Sequence, residues 1–232
     1  MSHSSSLQLV CTFVVRSPFD AQILPSWEQQ GQGIEVKWSA TSIIIDSLRA
    51  GQRGDVVIVT VAAMDELIEA GIIDASTRVE LVESRIGLAV KSGEPHPDIS
   101  TTEALVNTLQ EARSVAYSLG GASGIYFKTL IEKLGIADEI NRKASTILEG
   151  FSAEKLISGD ASLALQQVSE LLVVPGIEVI GTLPEDVQKV TSFSAAAFKE
   201  AKNPQLAKEF LKHLQTPEAA IAYRAKGLDP IF

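Results

Sequence analysis

The sequence predicts an α/β protein of two lobes, each built on a parallel-rich sheet flanked by helices. Short apolar segments rich in β-branched residues alternate with helical segments across short joints, which is typical of a doubly wound parallel sheet. The chain has 232 residues, which suits two small lobes, and 45% of them are hydrophobic while 21% are charged. That balance provides an ample core and argues against disorder.

Apolar periodicity and the positions of glycine and proline place the individual elements. The predicted strands are Leu7–Val15, Ile34–Trp38, Asp55–Val61, Ile86–Val90, Ser114–Tyr117, Thr146–Leu148, Leu163–Gln167 and Gly176–Gly181. The predicted helices are Phe19–Gln29, Ile43–Ala50, Met64–Ala70, Thr101–Leu109, Ile125–Leu134 and Ala153–Ser158.

The C-terminal segment Thr191–Phe232 predicts two helices that dock on one lobe. Asn203 is expected to cap the first helix, with Pro204 in its first turn. The apolar face of that helix consists of Leu206, Phe210, Leu211 and Leu214. Thr216 is expected to cap the second helix and Gly227 to end it.

A change in sequence character near Leu81–Val90 predicts that the chain crosses there from the first lobe to the second. Pro184, Glu185 and Asp186 predict the return crossing. The first lobe is therefore expected to contain residues 1–84 and 188–232, and the second lobe residues 85–187.

Composition excludes several function classes. The formal net charge is −9 and no basic stripe is present, so nucleic-acid binding is not expected. The histidines lack the spacing of a metal site, no cofactor motif occurs, and Cys11 is the only cysteine, so no intrachain disulfide forms. No apolar run is long enough to enter a membrane, and Met1–Ser6 lacks the features of a secretion signal. A cytoplasmic location is expected, or a periplasmic one if a leader was removed.

Ligands of open parallel sheets bind at the carboxyl ends of strands, where three segments offer suitable groups. Arg16 and Ser17 combine a guanidinium fork with a hydroxyl after the first strand. Ser39–Ser42, which includes Ala40 and Thr41, is a hydroxyl-rich turn before a helix, although such residues are also ordinary helix caps. Gly120–Gly124 can aim backbone N–H groups at an anion. Gln166 and Gln167 end a strand. For these two side chains, a position in the cleft and a position on the surface are equally expected.

These segments, with Gly54–Ile58, Ile125–Tyr126 and the C-terminal helices, resemble the molybdate-binding substrate receptors of ABC transporters, which have the type II periplasmic binding-protein fold. The resemblance covers nearly the whole chain. It implies a ligand cleft between the lobes, a monomer, and an ABC permease as a partner. By matching position, it assigns ligand binding to Ser17, Ala40, Thr41, Ser42, Gly121, Ser123, Gly124 and Gln167.

Two residues depart from the receptors' pattern. Gln167 stands where those receptors have a tyrosine, and Arg16 precedes the first serine where a small residue is usual. Neutral donors suit a tetrahedral oxyanion, whereas a guanidinium suits a planar carboxylate. A small organic acid is therefore favoured over molybdate, although both remain open as ligands.

Three function classes remain. The first is a receptor that closes on a small anion. The second is an isomerase of a small polycarboxylate on the same scaffold, similar to aconitate isomerase, for which Glu170, Glu149 and Tyr117 are the candidate bases. The third, the ligand-sensing domain of a transcription regulator, is disfavoured because no helix-turn-helix precedes the first strand.

Overall fold

A computed structural model describes residues 6–232. His3 and most of the N-terminal segment on which the secretion-signal prediction rests lie outside the described residues. The strands are β1 Leu7–Thr12, β2 Ile34–Ser39, β3 Val56–Thr60, β4 Val79–Ser84, β5 Ile86–Lys91, β6 Val115–Ser118, β7 Ala144–Ile147, β8 Leu163–Gln167, β9 Ile177–Thr182, β10 Thr191–Ala197 and β11 Leu228–Pro230.

The helices follow the strands in regular alternation through most of the chain. They are α1 Arg16–Pro18, α2 Leu24–Glu28, α3 Thr41–Arg49, α4 Val61–Glu69, α5 Thr102–Glu111, α6 Ala122–Lys133, α7 Ala137–Arg142, α8 Glu154–Ile157, α9 Val168–Leu171, α10 Pro204–His213 and α11 Pro217–Arg224. Short 3-10 turns are formed by Phe13–Val15, Ala75–Thr77 and Glu185–Val187, and a π-helical stretch by Phe19–Ile23.

The chain divides into two compact units. Unit 1 contains the chain up to Glu83 together with Thr191–Phe232, and unit 2 is Ser84–Val190. The division thus falls at 83/84 and 190/191, where the sequence predicts 84/85 and 187/188.

Unit 1 contains a six-stranded mixed sheet in the order β11-β4-β10-β3-β1-β2. Strand β1 pairs in parallel with β2 and β3, whereas β10 pairs antiparallel with β3. The sheet is therefore mixed, and three of its strands, β4, β10 and β11, are not among the predicted ones. Apolar clusters cover both faces of this sheet, one beneath α2, α10 and α11 and the other beneath α3 and α4.

The first strand is shorter than its sequence predicts. Strand β1 ends at Thr12, and Phe13–Val15 already turns into a helical segment that continues without a break to the end of α2. Arg16 and Ser17 therefore begin a helix, three residues before the predicted helix Phe19–Gln29. The reason is tertiary packing, because Val14, Val15 and Phe19 all insert into the same apolar cluster.

Unit 2 contains a five-stranded mixed sheet in the order β7-β6-β8-β5-β9. Strand β6 is parallel to β7 and β8, and β5 is antiparallel to β8 and β9. One face of this sheet packs against α6 through an apolar cluster that includes Leu163, Leu165, Phe127 and Leu130. The fold is that of the type II periplasmic binding proteins.

The C-terminal helices form as the sequence predicts, with one difference. Phe210, Leu211 and Leu214 are buried, and the Thr216 hydroxyl accepts the backbone N–H of Ala219 at 3.2 Å. Asn203 makes no side-chain cap. Its backbone N–H is instead bound by the carboxylate of Asp55, a residue far away in sequence.

Asp55 is a buried carboxylate that ties β1 to the start of α10. Its Oδ2 accepts the N–H of Gln8 at 2.8 Å, and its Oδ1 accepts the N–H of Asn203 at 2.9 Å.

Replacing Asp55 with Asn removes the charge and one acceptor, so we expect the free energy of unfolding to fall by about 2–4 kcal/mol in urea denaturation. Asp65→Asn is the matched control, since Asp65 is half-exposed and pairs with Arg78 on the surface. The Asp65→Asn substitution should lower the free energy of unfolding by less than about 1 kcal/mol. An equal loss of stability in the two variants would refute this role of Asp55.

Candidate functional site

The carboxyl ends of three adjacent strands in unit 1 form an edge rich in hydroxyl groups. Strands β1, β2 and β3 run parallel and end at Thr12, Ser39 and Thr60. Thr41, in the first turn of α3, donates its hydroxyl to the hydroxyl of Thr12 at 3.4 Å. The predicted residues of unit 1 are therefore brought to one edge of the sheet, as the rule for parallel strands requires.

Arg16 lies at this edge and is held from two sides. Its Nε donates to Oδ2 of Asp20 one helical turn later at 3.2 Å, and its guanidinium lies over the Trp38 ring, with Cζ 5.7 Å from the ring centroid. Stacking and ion pairing fix the orientation of a long side chain that would otherwise be mobile. The hydroxyl of Ser17 follows in the same helical turn.

Helix α3 begins at this edge without a side-chain cap. Its N-cap is Ala40, which has no oxygen to accept the first N–H groups, and Thr41 and Ser42 follow in the first turn. Helix α4 differs, because the Thr60 hydroxyl accepts the N–H of Ala63 at 3.3 Å. The N-terminus of a helix favours an anion, and Ala40 places no side-chain oxygen there. The predicted polar turn is in fact the end of β2 and the start of α3.

In unit 2 the corresponding edge contains the start of α6. Gly121 is the N-cap of this helix and also lacks a side-chain acceptor, while its own N–H donates to the Ser118 hydroxyl at 3.2 Å. Ser123 lies in the first turn, is buried, and its hydroxyl has no hydrogen-bond partner within the described part of the chain.

Gly124 has a packing role that the sequence does not reveal. A Cβ atom at this position would lie 1.5 Å from the carbonyl oxygen of Ser118. Glycine is therefore required because α6 passes directly against the end of β6. Gly124 thus places the helix start, and its predicted ligand contact stays a prediction.

Gln167 is buried, which excludes the surface position, while its predicted position in the cleft stays a prediction. Side chains alternate along a strand, so Gln167 shares a face with Leu163 and Leu165, the face that packs against α6. Ser123 precedes Phe127 by one helical turn and so lies on the side of α6 that faces the sheet. Neither the nitrogen nor the oxygen of the Gln167 amide has a hydrogen-bond partner in residues 6–232.

The neighbouring Gln166 is structural. Its Oε1 accepts the backbone N–H of Ser152 at 2.8 Å and the Ser152 hydroxyl at 3.0 Å, and its Nε2 donates to the carbonyl of Gly150 at 2.8 Å. These bonds hold the loop before α8 against the other face of the sheet. The two glutamines are thus distinguished by partners that the sequence does not reveal.

Glu170 is a buried carboxyl group in the first turn of α9, directly after the Gln167 strand end. Burial raises the pKa of Glu170 to about 8, although hydrogen bonds from the backbone N–H of Gln167 and the side chain of Gln166 favour the charged form. Its position three residues after the N-cap Gln167 is that of the acidic residue in a capping box. A carboxyl group with a pKa near neutrality can both donate and accept a proton.

The other two candidate bases lie in different surroundings. Glu149 is exposed in the segment after β7. Tyr117 is part of the core of unit 2, where its ring packs on Phe127 at 5.1 Å and its hydroxyl donates to Asn141 at 3.3 Å. Burial raises the pKa of Tyr117, which disfavours its use as a base.

Sequence reasoning missed several polar groups near these edges. The hydroxyls of Ser169 and Ser194 are buried and have no hydrogen-bond partner among residues 6–232. Thr12 ends β1, and Ser194 lies opposite Val59 near the end of β3. A hydroxyl residue at the end of an apolar strand is the signal that could have identified Thr12. Ser194 could not be found in this way, because its position depends on antiparallel pairing between distant segments.

Residues 6–232 contain no cluster of three histidine, cysteine, aspartate or glutamate side chains that could hold a metal ion. Within the same range, no helix is both long enough and apolar enough to cross a membrane.

Comparison with known proteins identifies the family. The family model described as bacterial extracellular solute-binding protein matches residues 9–229. This chain belongs to that family. This assignment agrees with the resemblance to solute-binding receptors that the sequence shows.

Two characterised relatives align over most of this solute-binding protein. Aconitate isomerase from a Pseudomonas species is 33% identical over an alignment of 218 residues, and the alignment covers 90% of this chain and 82% of that protein. The molybdate-binding protein ModA of Escherichia coli is 23% identical over an alignment of 206 residues, which covers 86% of this chain and 79% of that protein.

Solved structures show the same fold at low sequence identity. The periplasmic molybdate-binding protein of Azotobacter vinelandii superposes with a TM-score of 0.79 at 14% identity, covering 98% of this chain and 99% of that one. The sulfate-binding protein SubI of Mycobacterium tuberculosis gives a TM-score of 0.75 at 16% identity, covering 98% and 87%. At these identities the structures establish the fold alone.

Proposed function

We propose that this solute-binding protein binds a small organic acid that carries two or more carboxylates. The residues that bind it lie at the carboxyl-end edges described above. In unit 1 they are Arg16, Ser17 and the start of α3. In unit 2 they are Ser123, Gln167 and the start of α6. The prediction that the ligand lies between the lobes stays a prediction.

The observation that carries the proposal is the buried Gln167 amide. Its side chain is 2% exposed and both polar atoms lack a partner in the described residues. An unpaired buried polar group costs about 1–3 kcal/mol of stability. A ligand or a water that forms hydrogen bonds with the amide would remove this cost. An amide presents one donor group and one acceptor side by side, which suits a hydroxy acid or a protonated carboxyl group better than a bare oxyanion, because a bare oxyanion can only accept hydrogen bonds.

Arg16 supports the same chemistry from unit 1. A guanidinium binds a planar carboxylate with two parallel hydrogen bonds, and Trp38 and Asp20 already orient it. The aconitate isomerase relative supports it independently, since aconitate is a tricarboxylate.

Isothermal titration calorimetry against a panel of anions tests the proposal. The panel contains trans-aconitate, citrate, succinate, molybdate and sulfate. We expect a tricarboxylate to bind at least 100-fold more tightly than molybdate. Tighter binding of molybdate than of every carboxylate would overturn the organic-acid assignment and favour an oxyanion receptor.

Substitutions at the two departures from the receptor pattern should weaken carboxylate binding. Gln167→Leu keeps the shape but removes both polar atoms, and Arg16→Gln removes the charge. Each change should raise the dissociation constant by about 10- to 100-fold, because charge-assisted and buried hydrogen bonds contribute roughly 1.5–3 kcal/mol. The control is Arg49→Gln, an exposed arginine on α3 that pairs with Glu66. Wild-type affinity in both test variants would show that Gln167 and Arg16 do not bind the ligand.

A second candidate function is the isomerisation of a polycarboxylate such as aconitate. Two observations favour it: the 33% identity to aconitate isomerase, and a buried Glu170 with a pKa of about 8 beside Gln167. Moving an allylic double bond requires a base that takes a proton from one carbon and an acid that returns one to another, and such a carboxyl group can do both.

Proton NMR of trans-aconitate in D₂O with the protein distinguishes the two functions. Appearance of the cis isomer with incorporation of deuterium would establish turnover, and Glu170→Gln should abolish it while the ligand still binds. Binding without any conversion would support the receptor alone.

A receptor of this family delivers its ligand to a transporter, so we further propose an ABC permease as the partner. The predicted monomeric state and the predicted cytoplasmic location stay predictions.

A further inference from the structure

Unit 2 contains a second concave site at the opposite edge of its sheet. A cavity of about 590 Å³ opens where β5 ends and β8 begins. Its floor is apolar and includes Val90, Leu156, Ala161 and Leu163. This volume lies within the range of about 300–1,000 Å³ that holds small organic ligands.

This cavity is separate from the carboxyl-end edge. Leu163 is the first residue of β8 and Gln167 the last, and four steps of about 3.3 Å along a strand place them about 13 Å apart. Groups that bind a ligand at Gln167 therefore do not line this cavity.

One wall of the cavity is held in place before any ligand binds. Pro95 and Pro97 line it, and their fixed φ angles restrict the loop. Glu178 of β9 anchors this loop, because its Oε1 accepts the N–H of Gly93 at 3.2 Å and its Oε2 lies 2.7 Å from Nε2 of His96. A preformed wall lowers the entropic cost of binding.

Four charged side chains surround the mouth: Lys91, Glu94, Glu111 and Arg113. None of them forms an ion pair in residues 6–232, and Arg113 is fixed instead by donating from Nη2 to the carbonyl of Gly159 at 3.0 Å. The charge of Arg113 also acts on Asp160, whose pKa it helps to lower, so Lys91, Glu94 and Glu111 are the charges at the mouth without an ion-pair partner in the described residues. Glu111 also ends α5, where the negative end of the helix dipole adds to its attraction for a cation.

From this arrangement we propose that the cavity binds a zwitterionic small molecule with a bulky apolar body, of the class of apolar amino acids and dipeptides. The ammonium group binds at Glu111 and the end of α5, the carboxylate binds at Lys91 or Arg113, and the apolar body fills the floor. This site is independent of the organic-acid site and of its ligand.

The dipeptide L-phenylalanyl-L-leucine is the probe, measured by calorimetry and by chemical-shift changes in the NMR spectrum of the full chain. We expect saturable binding. The same dipeptide with an acetylated N-terminus and an amidated C-terminus should bind at least about 10-fold more weakly, because both charge-assisted contacts are lost. Equal affinity for the charged and capped forms would overturn the zwitterion assignment, and so would a lack of binding by either at millimolar concentration.

Variants locate the binding. Lys91→Met and Glu111→Gln should each weaken dipeptide binding several-fold, whereas Lys128→Met and Glu132→Gln, exposed positions on α6, should not. Ala112→Trp should fill the cavity and abolish binding. If the Ala112→Trp variant does not fold, Lys91→Met and Glu111→Gln still test the location of the site. Binding that none of the three cavity variants changes would show that the dipeptide binds elsewhere. Titration with trans-aconitate should give the same result in all of them as in the wild type.

Discussion

Glu170→Gln should raise the melting temperature at pH 8 by about 10 °C and leave it nearly unchanged at pH 4.5. Glutamine resembles the protonated acid in shape and charge, and it can still accept the N–H of Gln167. The folded protein holds the pKa of Glu170 at about 8, against an ordinary value of 4.5. That difference corresponds to on the order of 4–5 kcal/mol at high pH, which is about 10 °C for a chain of this size.

The sign of the pH dependence follows from proton linkage. Between pH 4.5 and about 8 the folded state binds more protons at Glu170 than the unfolded state does, so stability falls as pH rises through this interval. The contribution is fully present below the lower value and is lost above the higher one. Calorimetric melts of both proteins from pH 4.5 to 9 measure the effect.

Glu178→Gln is the matched control. This carboxylate is exposed and its pKa is lowered by the hydrogen bond from His96, so removing its charge should not stabilise the protein at pH 8. If Glu170→Gln and the wild type had parallel melting curves across the whole pH range, the buried position of Glu170 would be wrong.

Gly124→Ala should prevent α6 from docking in its native position. The new Cβ would lie 1.5 Å from the carbonyl oxygen and 2.7 Å from the carbonyl carbon of Ser118. Both atoms belong to the backbone, so no side-chain rotation relieves the overlap. The helix also carries Phe127 and Leu130 into the core of unit 2. We expect the free energy of unfolding to fall by more than about 3 kcal/mol, with a loss of cooperative melting in unit 2.

Gly121→Ala provides the comparison within the same turn. A Cβ at Gly121 would lie 3.4 Å from the Ser118 hydroxyl, and the φ of −85° is ordinary for any residue. The Gly121→Ala substitution should lower the free energy of unfolding by about 1 kcal/mol or less. Circular dichroism and calorimetric melts measure both variants, and similar melting temperatures for the two would contradict the close approach of α6 to β6.

Much of the fold could be predicted because its signals are local. Strand β8 begins and ends as predicted, and Thr216 caps its helix as predicted. The predictions were wrong where a local signal competed with packing. The composition of Phe13–Val15 predicts a strand, but the segment forms a helical turn in which Val14 and Val15 pack into the core of unit 1.

The candidate site divides in the same way. Position at a strand end is local information, so Arg16, Ser17, Thr41 and Ser42 could be placed at one edge of a sheet. The partners of a side chain are not local. Gln166 and Gln167 are identical in type and adjacent, yet one is saturated by Ser152 and Gly150 while the other is buried without a partner.

The sequence by itself determined the alternation of strands and helices, the family, and the residue types available to an anion, since each depends on neighbours along the chain. Tertiary structure alone decided that Gly124 serves packing, that Asp55 binds the backbone N–H of Asn203, and that Glu170 is buried enough to keep its proton near neutral pH. Each of these depends on segments brought together by the fold, through backbone contact, long-range hydrogen bonding or loss of water, and no window of sequence contains both partners.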